Sequence, residues 1–218
     1  MAAAIATTWG IGKEQDLPWK IPVDSEYLEQ ITSKAYYNDT AATKTISNDR
    51  PWHNAVIMGR LSWESIPMKN GPMPNRFNIV ISRNPSYKMA PYPHTSLATS
   101  VHEALEQANT LMKETQGRVF VLGGGQIYEQ AMDLCTHVLL TRIHDPKEKV
   151  VCDSFMPPVN ISLFAQASHQ ELEAFVQQPV PKGKQICDEL EYEFLLYVRR
   201  SSSSDDVVIV DQDKKENL

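Results

Sequence analysis

VFVLGGGQIYEQAM, residues 119–132, is the stretch whose reading decides the fold. A short β-branched run at 119–122 meets Gly123, Gly124 and Gly125. A helical pattern follows, with Ile127, Ala131, Leu134 and Cys135 at i, i+4, i+7 and i+8. The order is strand, tight turn, helix. Three glycines let the backbone approach a ligand closely and adopt dihedrals that a side chain forbids. The first N–H groups of the helix lack an intrahelical partner and favour an anion, with a nucleotide phosphate the natural candidate. A merely flexible turn is the competing reading of one GGG, so the neighbouring segments must decide.

Working outward, two further strand ends carry matching chemistry. Residues 54–58 read as a buried strand, continuous rather than alternating, with 55–58 all apolar as burial on both faces requires. That run ends in Gly59-Arg60-Leu61-Ser62 and passes into a short helix, SWESI. After the irregular loop PMKNGPMPNR, a strand at 77–81 ends in Ser82-Arg83. Each arginine alone reads as a solvated surface charge. Two of them at successive strand ends, beside a glycine turn, point to a shared anion site. Residues 84–99 are rich in turns and proline. Ser100 and Glu103 then have capping-box spacing before a helix bearing Leu105, Ala108, Leu111 and Met112. Another strand is expected at 137–143. Alternating segments near 163–176 and 190–200, joined by QQPVPKGK, read as a hairpin.

Strands alternating with helices predict one α/β domain. Its expected form is a mostly parallel central sheet of about eight strands, helices on both faces and a C-terminal antiparallel hairpin at the edge. In such sheets ligands bind beyond the carboxyl ends of the strands. At the N-terminus, MAAAIATT reads as a short strand, and WGIGKEQDLPW as a loop broken by Gly10, Gly12 and Pro18. Pro22 introduces a helix with Asp24, Tyr27, Leu28 and Ile31 on one face. A carboxylate on an apolar stripe either caps the helix and complements its dipole or works in a pocket. Glu26 lies on another face and reads as solvent-facing.

Composition narrows the classes. The 218 residues carry a formal charge of −6, with 42% hydrophobic and 22% charged residues, which argues against a general nucleic-acid surface. No apolar run has the length of a membrane span. Three cysteines, Cys135, Cys152 and Cys187, without paired spacing read as reduced thiols in a cytosolic or nuclear setting. The six histidines show no zinc-ligand spacing, so no metal site is expected.

GIGKEQDLPW, NAVIMGRLSWESIP, PNRFNIVISR, VFVLGGGQIYEQA, LLTRI and DSFMPP together resemble dihydrofolate reductase, in the same order and at similar spacings, from about residue 4 to about residue 200. The resemblance implies reduction of 7,8-dihydrofolate by NADPH with proton delivery at N5 of the pterin. It implies that Asp24 is the acid, Thr141 the residue that orients it, and Trp19 and Leu17 the lining of the pterin. Thr32, eight residues on, is the threonine that commonly accompanies the acid. Leu28 and Ile66 would grip the benzoyl ring, Leu122 would offer its carbonyl to the pterin amino group, and Arg76 would pair with the α-carboxylate of the glutamyl tail. Gly59, Arg60, Leu61, Ser62 and the run Gly123, Gly124, Gly125, Gln126 and Ile127 would hold the cofactor around its pyrophosphate. Ser82 and Arg83 would contact the 2′-phosphate. Ile11 and Gly12 would border the nicotinamide, with Tyr128 near it and Ser62 at the substrate side too. The Gly123–Gly124 peptide would be cis, and residues 10–17 would form a mobile lid.

The chain departs from the family pattern in places. The first-strand pterin contact is Ala4 or Ala6, and Ser25 stands where a larger apolar residue is usual. The long connections at 33–53, 144–152 and 176–189 imply a eukaryotic, fungal-like member, monomeric and cytoplasmic or also nuclear, that binds antifolates as well as substrate. Residues 1–200 form the expected domain. SSSSDDVVIVDQDKKENL, 201–218, reads as a disordered tail in which 207–210 resembles a strand-adding motif for SUMO-type modifiers. A pyrimidine reductase of riboflavin synthesis and a non-catalytic folate-binding relative are the alternatives. The first has no need of Asp24, Arg76 and LPW together, and the second would have lost the acid.

Overall fold

In a computed structural model of the chain, residues 1–36, 50–66, 72–113 and 117–201 are described. The motif at 207–210 and most of the 33–53 connection lie outside these residues. The glycine stretch folds as strand β6 (Val119–Val121), the turn, and helix α4 (Gly125–Ala131). Strand β6 joins β3 (Asn54–Gly59), β4 (Arg76–Ile81) and β5 (Thr95–Ala98) in a wholly parallel sheet ordered β5-β4-β3-β6. Residues 54–58 are buried throughout, which explains their lack of alternation. Helix α3 (Val101–Met112) covers one face through Val101, Ala104, Ala108 and Met112. Helix α1 (Pro22–Ser33) lies across the other, with Tyr27 and Ile31 in a core shared with Val56, Met58 and Val80.

The second sheet is mixed. Strand β1 (Ala2–Ile5) runs parallel to β7 (His137–His144), which pairs antiparallel with β11 (Leu190–Arg199). On its far side β11 pairs with β9 (Phe164–Gln166) and β10 (Gln185–Cys187). Met1 links the two sheets, its ammonium donating to the Val121 carbonyl at 2.9 Å.

The expected eight mostly parallel strands are therefore corrected to a parallel four-stranded sheet beside a mixed five-stranded one. The last long strand is not at the edge: β11 is buried between neighbours because Leu195, Leu196 and Tyr197 are consecutively apolar and covered on both faces. The 163–176 segment is not one strand. After β9, Ser168 accepts from the Glu171 N–H while Glu171 accepts from the Ser168 N–H, and this reciprocal cap starts helix α5 (His169–Val176). The true hairpin joins β10 to β11. Two loops hold unexpected strands. One is β5. The other is β2 (Gly10–Gly12), which pairs with β8 (Ser154–Phe155). Helix α2 (Arg60–Glu64) starts two residues before SWESI. Helix α4 stops at Ala131 in a short 3-10 turn, Met132–Leu134, which leaves Leu134 55% exposed rather than on an apolar stripe.

Candidate active site

Asp24 occupies the first turn of α1, but it does not cap the helix. The N-cap position is Ile21, without a side-chain cap bond. The carboxylate instead receives the Thr141 hydroxyl from β7 at 2.6 Å, and only 8% of Asp24 is exposed. Burial raises its pKa above the usual carboxylate value, and the Thr141 bond opposes this in part. Trp19 and Tyr27 are buried beside this core, and among the described residues neither the Trp19 indole N–H nor the Tyr27 hydroxyl has a hydrogen-bond partner. Buried polar groups without partners are uncommon, and they mark a place where a ligand or solvent completes the network.

Two helical turns further along α1, about 12 Å by helix rise, stands the cation. Arg76 is 4% exposed at the start of β4. Its Nη1 donates to the Thr32 hydroxyl at 2.7 Å and its Nε to the Pro74 carbonyl at 2.9 Å, while Thr32 donates to the Leu28 carbonyl. All of these partners are neutral. Burial lowers the pKa of Arg76, and the charge of Glu29 offsets part of this. Leu28, Ile66 and Leu122 are half-buried, and the last two pack against the Tyr27 core. Leu17 is 48% exposed, its N–H held by the Asp16 carboxylate.

The glycine turn lies at the other end of the parallel sheet, one strand length from Arg76. Gly59 N–H donates to the Gly123 carbonyl at 2.7 Å, joining the starts of α2 and α4. Neither helix has a side-chain cap, so their first amides are open to an anion. Gly123–Gly124 is cis, and Gly123 has φ +100°. A Cβ at Gly125 would collide with the Phe155 carbonyl oxygen, one at Gly123 would lie 2.8 Å from the Tyr128 ring, and one at Gly124 3.3 Å from the Ser62 hydroxyl. Glycine is thus required for packing as well as for conformation.

Ser82 is buried at the adjacent strand end and its hydroxyl accepts from the Asn84 N–H. Arg83 reaches the Gln126 amide oxygen at 3.3 Å, and Arg60 pairs with Glu64 at 3.0 Å on the surface. Leu61 is 51% exposed, and Ile127 packs against Gly59. The Tyr128 hydroxyl is engaged by the Met1 carbonyl at 2.7 Å, which gives it a structural partner.

The 10–17 segment connects the two regions. Lys13 and Asp16 close a tight turn around Glu14 and Gln15, both in the left-handed region. Through β2 the segment is tied to β8, with Asp153 accepting from the Glu14 N–H at 2.8 Å, and Phe155 of β8 abuts Gly125. Ile11 packs into the cluster around Ala2, Ala4 and Leu140, and Gly12 lies close to the Asp16 carbonyl. Ala4 is fully buried on β1, opposite Arg142, while Ala6 is only half-buried after the strand. The roles of Phe155, Tyr27 and Cys152, whose side chain touches Gly10, have no local mark in the sequence, because each arises from a contact across more than a hundred residues or between helix and sheet.

A family model described as dihydrofolate reductase matches residues 39–185. The chain belongs to the dihydrofolate reductase family. It is 34% identical over 214 residues to a dihydrofolate reductase of Pneumocystis carinii, covering 91% of this chain and 95% of that protein. A Saccharomyces cerevisiae dihydrofolate reductase is 30% identical over 213 residues, covering 92% and 95%. A bifunctional dihydrofolate reductase-thymidylate synthase of Glycine max is 32% identical over 207 residues, and the chain spans only 34% of that longer protein. Among solved structures, a dihydrofolate reductase from Enterococcus faecalis complexed with NADP(H) and RAB-propyl aligns at a TM-score of 0.60 and 25% identity, over 92% of this chain and 97% of that one. The mixed sheet is thus the form this dihydrofolate reductase-family chain takes, and the strand-end glycines, acid and arginine sit within it.

Proposed function

We propose that this chain reduces 7,8-dihydrofolate to 5,6,7,8-tetrahydrofolate with NADPH, and that Asp24 assists protonation of the pterin at N5. The observation that carries the reading is the pair of buried, oppositely charged side chains two turns apart along α1. Such a pair suits an elongated ligand with a hydrogen-bonding heterocycle at one end and a carboxylate at the other. Asp24 binds the pterin and supplies a proton through water, and its raised pKa keeps a protonated fraction at higher pH than a free carboxyl would allow. Thr141 acts as a positioning residue that sets the carboxylate's orientation. Arg76 receives the tail carboxylate, an interaction that compensates a guanidinium now surrounded by neutral partners.

The residues of the glycine turn fit NADPH. The joined, uncapped starts of α2 and α4 suit its pyrophosphate. Ser82 and Arg83, the latter bonded to the neutral Gln126 amide, suit its 2′-phosphate. When bound, NADPH supplies the hydride. The segment at 10–17, closed down by β8, excludes water from that position.

The test is loss of NADPH absorbance with dihydrofolate, and with the aminopyrimidine substrate of riboflavin synthesis as control. Consumption with dihydrofolate alone is expected. No consumption with dihydrofolate would overturn the reading.

A further inference from the structure

Two asparagines interrupt the apolar strands beside Arg76. Asn54 opens β3 and Asn78 follows Phe77 in β4, and both are fully buried. Asparagine is disfavoured in strands, and a buried amide costs free energy unless its groups are bonded. Asn54 meets that condition at both ends. Its Nδ2 donates to the carbonyls of Thr32 at 3.0 Å and Lys34 at 2.7 Å, and its Oδ1 accepts from the Arg118 N–H at 2.9 Å. The Asn78 Nδ2 donates to the carbonyls of Met73 at 3.1 Å and Arg76 at 3.0 Å, while its Oδ1 has no partner among the described residues. An apolar side chain of similar size would fill either place without that cost. The reason for an amide lies in what it holds.

What the two amides hold is the surroundings of one guanidinium. Among the described residues Arg76 bonds to the Thr32 hydroxyl and the Pro74 carbonyl. Thr32 belongs to the last turn of α1, where carbonyls lack a partner within the helix. Asn54 ties down the carbonyl of Thr32 itself. Pro74 lies in the turn before β4, and Asn78 ties down the residues that bracket it, Met73 and Arg76. The strand register completes the arrangement: in the parallel pair of β3 and β4, Asn54 stands beside Arg76 and Asn78 beside Val56. Each partner of the guanidinium is thus anchored by its own buried asparagine, one from each strand.

We propose that Asn54 and Asn78 are positioning residues for recognition of the substrate's tail carboxylate: they fix the Thr32 hydroxyl and the Pro74 carbonyl, and through these the orientation of Arg76. The inference rests on the dihydrofolate reading and on Arg76 as receiver of that carboxylate. Nε and Nη1 are already engaged, so the plane of the guanidinium sets where its remaining N–H groups point. A planar fork meets a carboxylate with two parallel bonds only within a narrow range of orientation. A small rotation of Arg76 therefore weakens the hold on the tail. The pterin end, held at Asp24 two turns away, is unaffected.

The experiment compares two substrates on the full chain: dihydrofolate, and 6-methyl-7,8-dihydropterin, which has the ring without the tail. Asn78→Val and, separately, Asn54→Ser are expected to raise KM for dihydrofolate about tenfold, with KM for the tail-less pterin unchanged. Combined with Arg76→Leu, neither substitution should raise KM for dihydrofolate further, because the group it positions is gone. A thermal melt checks that each variant is folded. Asn78→Val also removes an unpartnered buried oxygen and should remain so, and Asn54→Ser serves as the second variant. In a folded variant, KM values that rise alike for both substrates, or that do not rise, would overturn the assignment of that residue, as would full additivity with Arg76→Leu. Failure of the unaltered chain to reduce either substrate would instead strike the reading on which the inference rests.

Discussion

On the α1 side of the cleft, Asp24 and Arg76 are buried charges, each held by one threonine hydroxyl: Thr141 at 2.6 Å and Thr32 at 2.7 Å. On the glycine-turn side the fixed parts are backbone, and the charged groups, Arg60 and Arg83, lie near the surface with replaceable partners. The difference teaches that a fold can present charge to a ligand in two ways. Buried charges with neutral partners are costly to hold alone and so respond sharply to a complementary ligand. Backbone amides at helix starts need no desolvation of a full charge, and their geometry depends on the absence of Cβ atoms.

The comparison can be broken most severely at Asp24. Asp24→Asn is expected to lower turnover by about 10²–10⁴-fold, most at high pH, while NADPH binding is kept. Near-normal turnover from about pH 5 to about pH 9 would remove the carboxyl from proton delivery. Next in size is Arg76→Lys. Lysine cannot keep the planar, multiply bonded geometry, so KM for dihydrofolate should rise about 10- to 100-fold with turnover largely retained. A fall in turnover with KM unchanged would instead make Arg76 a structural support.

On the glycine side, Gly125→Ala places a Cβ against the Phe155 carbonyl. It should cost about 1–3 kcal/mol of stability and weaken NADPH binding, read by melting and by fluorescence titration. A variant with native melting and affinity would show that the turn tolerates a side chain.

A subtler effect separates the two sides by pH. Because burial raises the Asp24 pKa in the folded state, the unfolded chain ionises first as pH rises from the ordinary carboxylate value of about 3.9. Stability is therefore lost through the window up to the folded pKa and stays reduced above it. Asp24→Asn lacks this loss. Its melting temperature relative to the parent should rise across that window, and a constant difference would contradict the burial argument. The smallest change expected is from Glu64→Gln, which frees exposed Arg60 and should tighten NADPH binding by no more than about threefold.

Much of this architecture is legible locally. Glycine after a β-branched run announces the turn at 123–125, and Pro22 announces α1. The strand at 54–58 declares its burial through the unbroken apolar run at 55–58. Local cues also mislead where two compete. Ser100 and Glu103 have capping-box spacing, yet only Ser100 caps, while Glu103 turns to the Thr99 N–H and hydroxyl. The complete box forms at Ser168 and Glu171, inside a segment whose alternation reads as strand. There the cap and the helical face of Leu172 and Val176 prevail over the period-two pattern, because that face is buried in the core.

By itself the sequence determined the elements that rest on short-range chemistry: the glycine turn, the paired arginine-bearing strand ends and an acid on the apolar face of α1. Only tertiary structure decided that Asp24 meets Thr141 across 117 positions, that Arg76 meets Thr32 across 44, and that Phe155 seals Gly125. The reason is physical. Backbone dihedrals and capping act within a few residues, whereas desolvation and hydrogen-bond partnership depend on which distant surfaces the sheet brings together.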